Sequence, residues 1–178
     1  MNYIQKLQQS RRFFRQLESE AQKFNRYARF VQENTDLFKK SITNVQATNN
    51  ELENLKSQAL ELNRLLGSLL SGGKKRYASS HVERSSPHFQ GEYGRLKGDV
   101  RKYQKMLGRL LDHINFLSDV VKSTYSDEAR ITLALQAYGS QNESQLKKFG
   151  SSFDGADPIV MASLVAAVIK SAIKKLKG

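Results

Sequence analysis

The chain has 178 residues, 39% of them hydrophobic, with two prolines and no cysteine. A chain of this length forms one domain, with or without an appendage, and the lack of cysteine excludes a disulfide framework or a thiolate metal site. Lys and Arg number 29 against 17 Asp and Glu, so the net charge is +12. Such a charge favours anionic partners, namely nucleic acid, anionic lipid or an acidic protein surface.

The positive charge is concentrated in two stretches. Residues 1–40 contain nine Lys or Arg and four Asp or Glu, and residues 72–112 contain ten and four. The N-terminal stretch lacks the apolar core of a signal peptide. We therefore expect synthesis in the cytoplasm, with a virion or a membrane as the candidate destinations.

A seven-residue repeat organises the first third of the chain. Every seventh residue from Leu17 to Leu66 is apolar, and a second, mostly apolar column begins at Phe14. These alternating spacings of three and four residues predict one face of a long helix that forms the seam of a coiled coil or bundle. We expect this helix to run from about residue 2 to residue 70. A bend or frayed turn is expected at Thr43–Asn50, where Asn and Thr side chains compete for backbone hydrogen bonds.

A linker and a second long helix follow. Residues 72–90 are rich in Ser, Gly and basic side chains, which predicts a linker. Its G-G-K sequence is not a phosphate-binding P-loop, because Ser68 stands where that motif requires glycine. Apolar residues keep the three-four spacing from Phe89 to Val121, which predicts a helix over residues 91–123 that returns antiparallel to the first.

The C-terminal part of the chain carries further helix signals. Short helices are predicted over residues 127–138 and around residues 143–149. The last helix has a strong start signal, because Asp157 can cap it and Pro158 occupies its first position. Its residues 159–169 contain no charge, and lysines follow. This uncharged stretch is too short to span a bilayer, which needs about 20 residues, but it can lie in a membrane interface.

Two interpretations of the last helix stay open. In the first, it packs on the hairpin as a fourth bundle helix through a stripe of six residues: Met161, Leu164, Val165, Val168, Ala172 and Ile173. In the second, an oligomer or lipid covers it, because its first turns are apolar nearly all round and a slim hairpin has no deep interior.

The predicted fold class is all-α, an elongated antiparallel helical hairpin or coiled-coil bundle with a C-terminal helix that is amphipathic to apolar. Residues 1–71 form the long first helix, 72–90 the basic linker, 91–150 the returning helices, and 151–178 a turn with the last helix. We expect a homo-oligomer formed through the heptad face.

The sequence offers little for catalysis. His81, His88 and His113 have no carboxylate or thiol at a spacing typical of metal ligands or of acid–base pairs. We therefore expect a non-enzymatic protein with no catalytic residue, metal, cofactor or small-molecule substrate.

The function predicted first is structural and membrane-directed, with the last helix engaging an anionic membrane. This plan of a long helical hairpin with a short apolar segment is shared by helical pore-forming toxins, phage proteins ejected into membranes and secretion-apparatus components. The predicted membrane-binding residues are Ile159, Leu164, Val168, Ile169, Ile173, Lys170, Lys174 and Lys175.

The alternative is a basic, oligomeric protein that binds or packages nucleic acid. Arginines interleave with Phe13, Phe14, Phe24 and Tyr27, and such pairs can contact phosphates and unpaired bases. The predicted nucleic-acid-binding residues are Arg11, Arg12, Arg15, Arg26, Arg29, Lys74, Lys75, Arg76, Arg101, Lys102 and Lys105. A further alternative is a scaffold whose basic surface docks on a protein partner.

Overall fold

The computed structural model describes residues 3–42, 44–124 and 158–177, and every secondary-structure element in these ranges is helical. The all-α class is thereby confirmed. The short helices predicted within residues 127–149 lie outside the described residues. The elements are α1 (Tyr3–Glu33), α2 (Thr35–Ser41), α3 (Val45–Ser71), a 3₁₀ turn (Gly73–Arg76), α4 (His81–Ser85), α5 (Pro87–Lys122) and α6 (Pro158–Lys177).

The prediction of one continuous helix over residues 1–71 is wrong. Helix α1 ends at Glu33, because Asn34 leaves helical geometry with φ −133° and ψ 49° and its amide side chain donates to the carbonyl of Phe30 at 3.1 Å. A second interruption precedes α3, where the Asn44 side chain accepts the N–H of Ala47 at 2.8 Å and caps the helix. The heptad columns pass over both breaks, so apolar spacing alone does not reveal them.

The second long helix begins earlier than predicted, inside the predicted linker. Ser86 caps α5 by accepting the N–H of Phe89 at 3.1 Å, and Pro87 occupies the first turn, where its missing N–H costs nothing. The rest of the connection holds the 3₁₀ turn and α4. The predicted apolar stripe of α5 is confirmed, since its residues from Phe89 to Val121 are buried.

The directions of three helices follow from their contacts. Helix α1 runs parallel to α5, because Arg11 pairs with Glu92 near both N-termini and Asn25 bonds His113 further along. Helix α3 runs antiparallel to α5, because Gly67 lies beside Gln104, while Tyr77, which donates to the carbonyl of Leu69 at the end of α3, has its ring 6.0 Å from that of Tyr93 near the start of α5.

Helix α6 runs parallel to α3 and antiparallel to α1. Ser163, near its start, bonds Glu51 in the first part of α3, and Lys177, at its end, approaches Glu61 further along. Lys175 lies over the ring of Phe13 in the first half of α1. Helices α1 and α3 each pack along both α5 and α6. One end of the bundle therefore holds the starts of α1 and α5 and the ends of α3 and α6.

The four long helices share one hydrophobic core. Its largest fully buried side chains include Tyr27, Phe14, Phe24 and Phe38, and Phe14 stacks on Tyr103 of α5 with ring centroids 4.5 Å apart. The heptad face that the sequence analysis assigned to self-association is covered by the chain's own helices. While α6 stays docked, association of two copies would therefore need another surface.

Helix α6 contributes seven buried positions to this core. They are Pro158, Met161, Ala162, Val165, Ala166, Ile169 and Ala172. The expectation that a single chain has no interior for this helix is wrong, because α1 and α3 together form a groove that receives it. The stripe predicted for a bundle helix is right at Met161, Val165 and Ala172, but Leu164 faces outward.

Two substitutions on α6 test its place in the core. Ile169 is 0% exposed and Leu164 is 41% exposed on the same helix. We expect Ile169→Ala to lower the free energy of unfolding by about 2–5 kcal/mol, and Leu164→Ala to lower it by about 0.5 kcal/mol or less. Urea denaturation followed by circular dichroism measures both. Equal losses for the two variants would contradict the packing of α6.

Candidate functional site

The structure divides the residues predicted to bind membrane between the core and the surface. Ile169 is buried, while Ile159, Val168 and Ile173 are half-buried. Leu164 is exposed, as are three lysines of α6: Lys170, Lys174 and Lys175. The buried and half-buried side chains cannot reach lipid while α6 stays in the bundle.

The outward-facing residues of α6 form a surface, and some, but not all, of its members are among the residues predicted to bind membrane. This outer face comprises Val160, Leu164, Ala167, Lys170 and Lys174, all of them exposed. Val160 was missed, although its spacing of four residues from Leu164 places both on one side of a helix. The outer face is thus apolar in its first half and basic in its second half.

Few polar contacts hold α6 to the bundle within the described residues. Ser163 Oγ donates to Glu51 Oε1 at 3.2 Å, and Lys177 Nζ lies 3.4 Å from Glu61 Oε1. Hydrogen bonds from Arg64, with further help from Lys177, lower the pKa of Glu61 to about 2. These contacts lie at the exposed rim, where ion pairs contribute little. Apolar packing therefore supplies most of the stability of α6.

The residues predicted to bind nucleic acid are mostly exposed. Arg11 is half-buried, and the other ten face solvent on α1, α5 and the 3₁₀ turn. The aromatic residues between the arginines of α1 are buried, namely Phe13, Phe14, Phe24 and Tyr27. These rings cannot stack on bases, so a nucleic acid could meet only the cationic side chains.

Acidic side chains already occupy part of the α1–α5 interface. Arg11 lies 2.8 Å from Glu92 and 3.8 Å from Asp99, and Lys102 lies 3.1 Å from Glu18. Tyr103 donates to the same Glu18 at 3.2 Å. Burial, together with the negative charge of Glu18, raises the pKa of Tyr103 to about 12. Arg11 and Lys102 therefore stabilise the fold and are poorly placed to bind a ligand.

A part-buried polar pair lies further along the same interface. Oδ1 of Asn25 is 2.7 Å from Nδ1 of His113, and because an amide oxygen can only accept, the histidine nitrogen donates. Burial lowers the pKa of His113, with a smaller contribution in the same direction from the charge of Arg29. His113 therefore has a packing role between two helices.

The fold concentrates the positive charge in one half of the bundle. This half, here called the basic end, comprises residues 3–18, 58–104 and 168–177. It contains 17 Lys or Arg and five Asp or Glu, whereas the other described residues contain nine and seven. The net charges are therefore +12 and +2. The sequence alone does not predict that these basic residues lie in one half of the bundle, because their positions depend on the directions of the helices.

A shallow depression of about 470 Å³ opens at the basic end, beside the 3₁₀ turn. Lys74, Lys75, His81 and Arg84 are among its lining residues. Arg84 is held in place by hydrogen bonds to the carbonyls of Ala78 and Ser79, so it shapes the turn. The two lysines are exposed and make no ion pair within the described part of the chain.

Two features, a metal-binding cluster and a membrane-spanning helix, are absent from the described residues. No group of three or more His, Asp or Glu side chains in residues 3–42, 44–124 and 158–177 could hold a metal ion. In the same ranges, none of the helices has the length and hydropathy required to cross a membrane.

Comparisons with protein-family models, with curated proteins and with solved structures find no match for this chain. Its function is therefore inferred from its own surfaces and charges.

The pair between Asn25 and His113 predicts a loss of stability in mild acid. Because the pKa of His113 is lower in the folded chain, the unfolded chain binds a proton first as the pH falls through about 6.5, and folding becomes less favourable. We expect His113→Gln to reduce the stability lost between pH 7.5 and pH 5, measured by urea denaturation. The exposed His88, changed to Gln, is the control. An unchanged pH dependence in His113→Gln would contradict this role.

Proposed function

We propose that this chain is a non-enzymatic structural protein that engages anionic membranes through α6. The observation that carries the proposal is the apolar character of α6 on both its faces. One face lies in the core, and Val160 and Leu164, at 40% and 41% exposure, face outward. In the described residues they account for two of the four exposed large apolar side chains.

The outer face of α6 suits first contact with a lipid surface. Val160 and Leu164 can enter the boundary between headgroups and acyl chains, while Lys170 and Lys174 stay among the headgroups. A lysine near an anionic bilayer contributes about 1 kcal/mol. With so few groups involved, binding of the intact bundle is expected to be weak and reversible.

Release of α6 from the bundle would strengthen this contact. Lipid chains are about as apolar as the core, so the seven buried positions of α6 would move between similar environments. The groove on α1 and α3 would lose its cover, and we propose that a second copy then covers it. The homo-oligomer would accordingly form on the membrane, through the apolar surface that α6 leaves.

The remaining helices would act as the scaffold in this process. We propose that α3 and α5 form an antiparallel hairpin with coiled-coil packing, which keeps its structure when α6 leaves. The general plan of a long helical hairpin with a short apolar segment is the one shared by helical pore-forming toxins, phage proteins ejected into membranes and secretion-apparatus components.

Vesicle binding by matched variants tests the first contact. We expect Val160→Ser with Leu164→Ser to weaken co-sedimentation with phosphatidylglycerol vesicles, because both side chains leave water on binding. Leu60→Ser with Val82→Ser removes two exposed apolar side chains, at 50% and 80% exposure, from α3 and α4 and should leave binding unchanged. Equal vesicle binding by the two double variants would overturn the proposal.

A reversible cross-link tests the release of α6. The chain has no cysteine, and the side chains of Glu51 and Ser163 meet at 3.2 Å, so Glu51→Cys with Ser163→Cys places two unique thiols within reach of each other. A cleavable bis-maleimide should then hold α6 in the bundle. We expect the cross-linked chain to release no dye from vesicles, and cleavage of the linker to restore release. If the cross-linked chain released dye as fast as the uncross-linked chain, permeabilisation of the vesicles would not require α6 to leave the bundle, and the proposal would be contradicted.

A further inference from the structure

Three stretches that are distant in the sequence meet at the basic end. The first half of α1 supplies Arg12 and Arg15, the 3₁₀ turn supplies Lys74 and Lys75, and the end of α6 supplies further lysines. We propose that this end of the bundle binds the phosphate backbone of double-stranded nucleic acid without reading its sequence. Lys170 and Lys174 belong to both the basic end and the outer face of α6, but Arg12, Arg15, Lys74 and Lys75 lie outside α6 and allow this proposal to be tested separately from the membrane proposal.

Most of the acidic side chains at the basic end are already paired. Four of its five carboxylates lie within 4 Å of a Lys or Arg: Glu18, Glu61, Glu92 and Asp99. By contrast, Arg12, Arg15, Lys74 and Lys75 are exposed and carry no ion pair within the described part of the chain. An approaching anion would therefore meet unpaired cations, while every carboxylate of the basic end except that of the exposed Glu83 is neutralised by a neighbour.

The positions of the apolar and aromatic side chains at the basic end favour a phosphate backbone as its ligand over lipid or unpaired bases. The exposed large apolar side chains of the basic end are Leu60 and Val82, which lie on different helices, so the described residues offer no apolar patch here that could enter a bilayer. Base stacking is also excluded for Phe13 and Phe14, because both rings are buried. What stays available is the sequence-independent attraction between Lys or Arg and phosphate.

The size of the surface suits a duplex. Residues 87–104, which form the first half of α5, lie in the basic end. These 18 residues span about 27 Å at 1.5 Å per residue. A duplex carries one phosphate charge per 1.7 Å of axis, or about 16 charges over the same length. About half of these, or about eight, face any one side, and the 14 exposed Lys or Arg of the basic end, distributed over the long helices and the 3₁₀ turn, exceed that number.

Salt-dependent binding to a fluorescent 20-base-pair DNA duplex tests the proposal. Each phosphate contact contributes about 0.9 to the slope of log K against log salt, so Arg12→Gln with Arg15→Gln should reduce the slope by about 1.8 and weaken binding. Lys74→Gln with Lys75→Gln should have a similar effect. The control is Arg26→Gln with Arg29→Gln, which removes the same charge from exposed positions of the same helix in the other half. We expect it to change the slope by less than half as much.

Three outcomes would overturn the proposal. The first is a full chain that shows no duplex binding at low salt. The second is an equal loss in the control variant, which would indicate attraction to the net charge of the chain alone. The third is binding of phosphatidylglycerol vesicles that weakens in the Arg12/Arg15 and Lys74/Lys75 variants while duplex binding does not, which would assign the surface to lipid headgroups. All substituted side chains are exposed, and circular dichroism verifies that each variant folds.

Discussion

The packing of α6 into the groove between α1 and α3 is the contact that completes the hydrophobic core of the bundle. Helices α1 and α3 both rest on α5, and their other side would expose apolar side chains to water without α6. Small residues such as Ala162 and Ala166 let the helix approach closely. Because hydrophobic burial, with few polar contacts, holds it there, the same helix can be stable in the bundle and suited to lipid.

Much of the fold could be predicted from the sequence. Apolar spacing identified the buried stripe of α5, and the Pro158 start signal identified α6. The break at Asn34 was not predicted, because inward-facing residues keep the heptad phase across it, whereas the Asn and Thr content of Thr43–Asn50 indicated a weak point next to the break at Asn44. The burial of α6 could not be decided either, since an all-round apolar pattern is the same for a helix in a core and a helix in lipid.

The charged residues of the candidate site could be predicted from the sequence, but their arrangement in space could not. The exposed arginines of α1 and the lysines of the 3₁₀ turn stand out in the sequence by charge alone. Their meeting with the C-terminal lysines follows from the directions of α3 and α6, which are set by contacts distant in sequence such as Lys177 with Glu61. Phe14 and Phe24 lie on the predicted seam, which already favoured burial over base stacking, and the structure buries Phe13 and Tyr27 as well.

Two surfaces of the bundle thus have separate physical characters. The outer face of α6 combines apolar side chains with lysines, which suits a lipid interface. The basic end combines unpaired cations with few exposed apolar groups, which suits a phosphate backbone. Both depend on the antiparallel docking of α6 against α1, since this docking turns Val160 and Leu164 outward and brings the C-terminal lysines to the basic end.

The distance between α1 and α6 in solution tests this docking most directly. Because the chain has no cysteine, cysteines introduced for spin labels are unique. One label is placed at Gln9 of α1 and the other at Ser171 or Ser163 of α6, and all three positions are exposed. Antiparallel docking predicts that the Gln9–Ser171 distance is shorter than the Gln9–Ser163 distance, by up to about 12 Å for eight helical residues. Double electron–electron resonance measures both distances. A shorter Gln9–Ser163 distance, or two broad distributions with no defined maximum, would contradict the account.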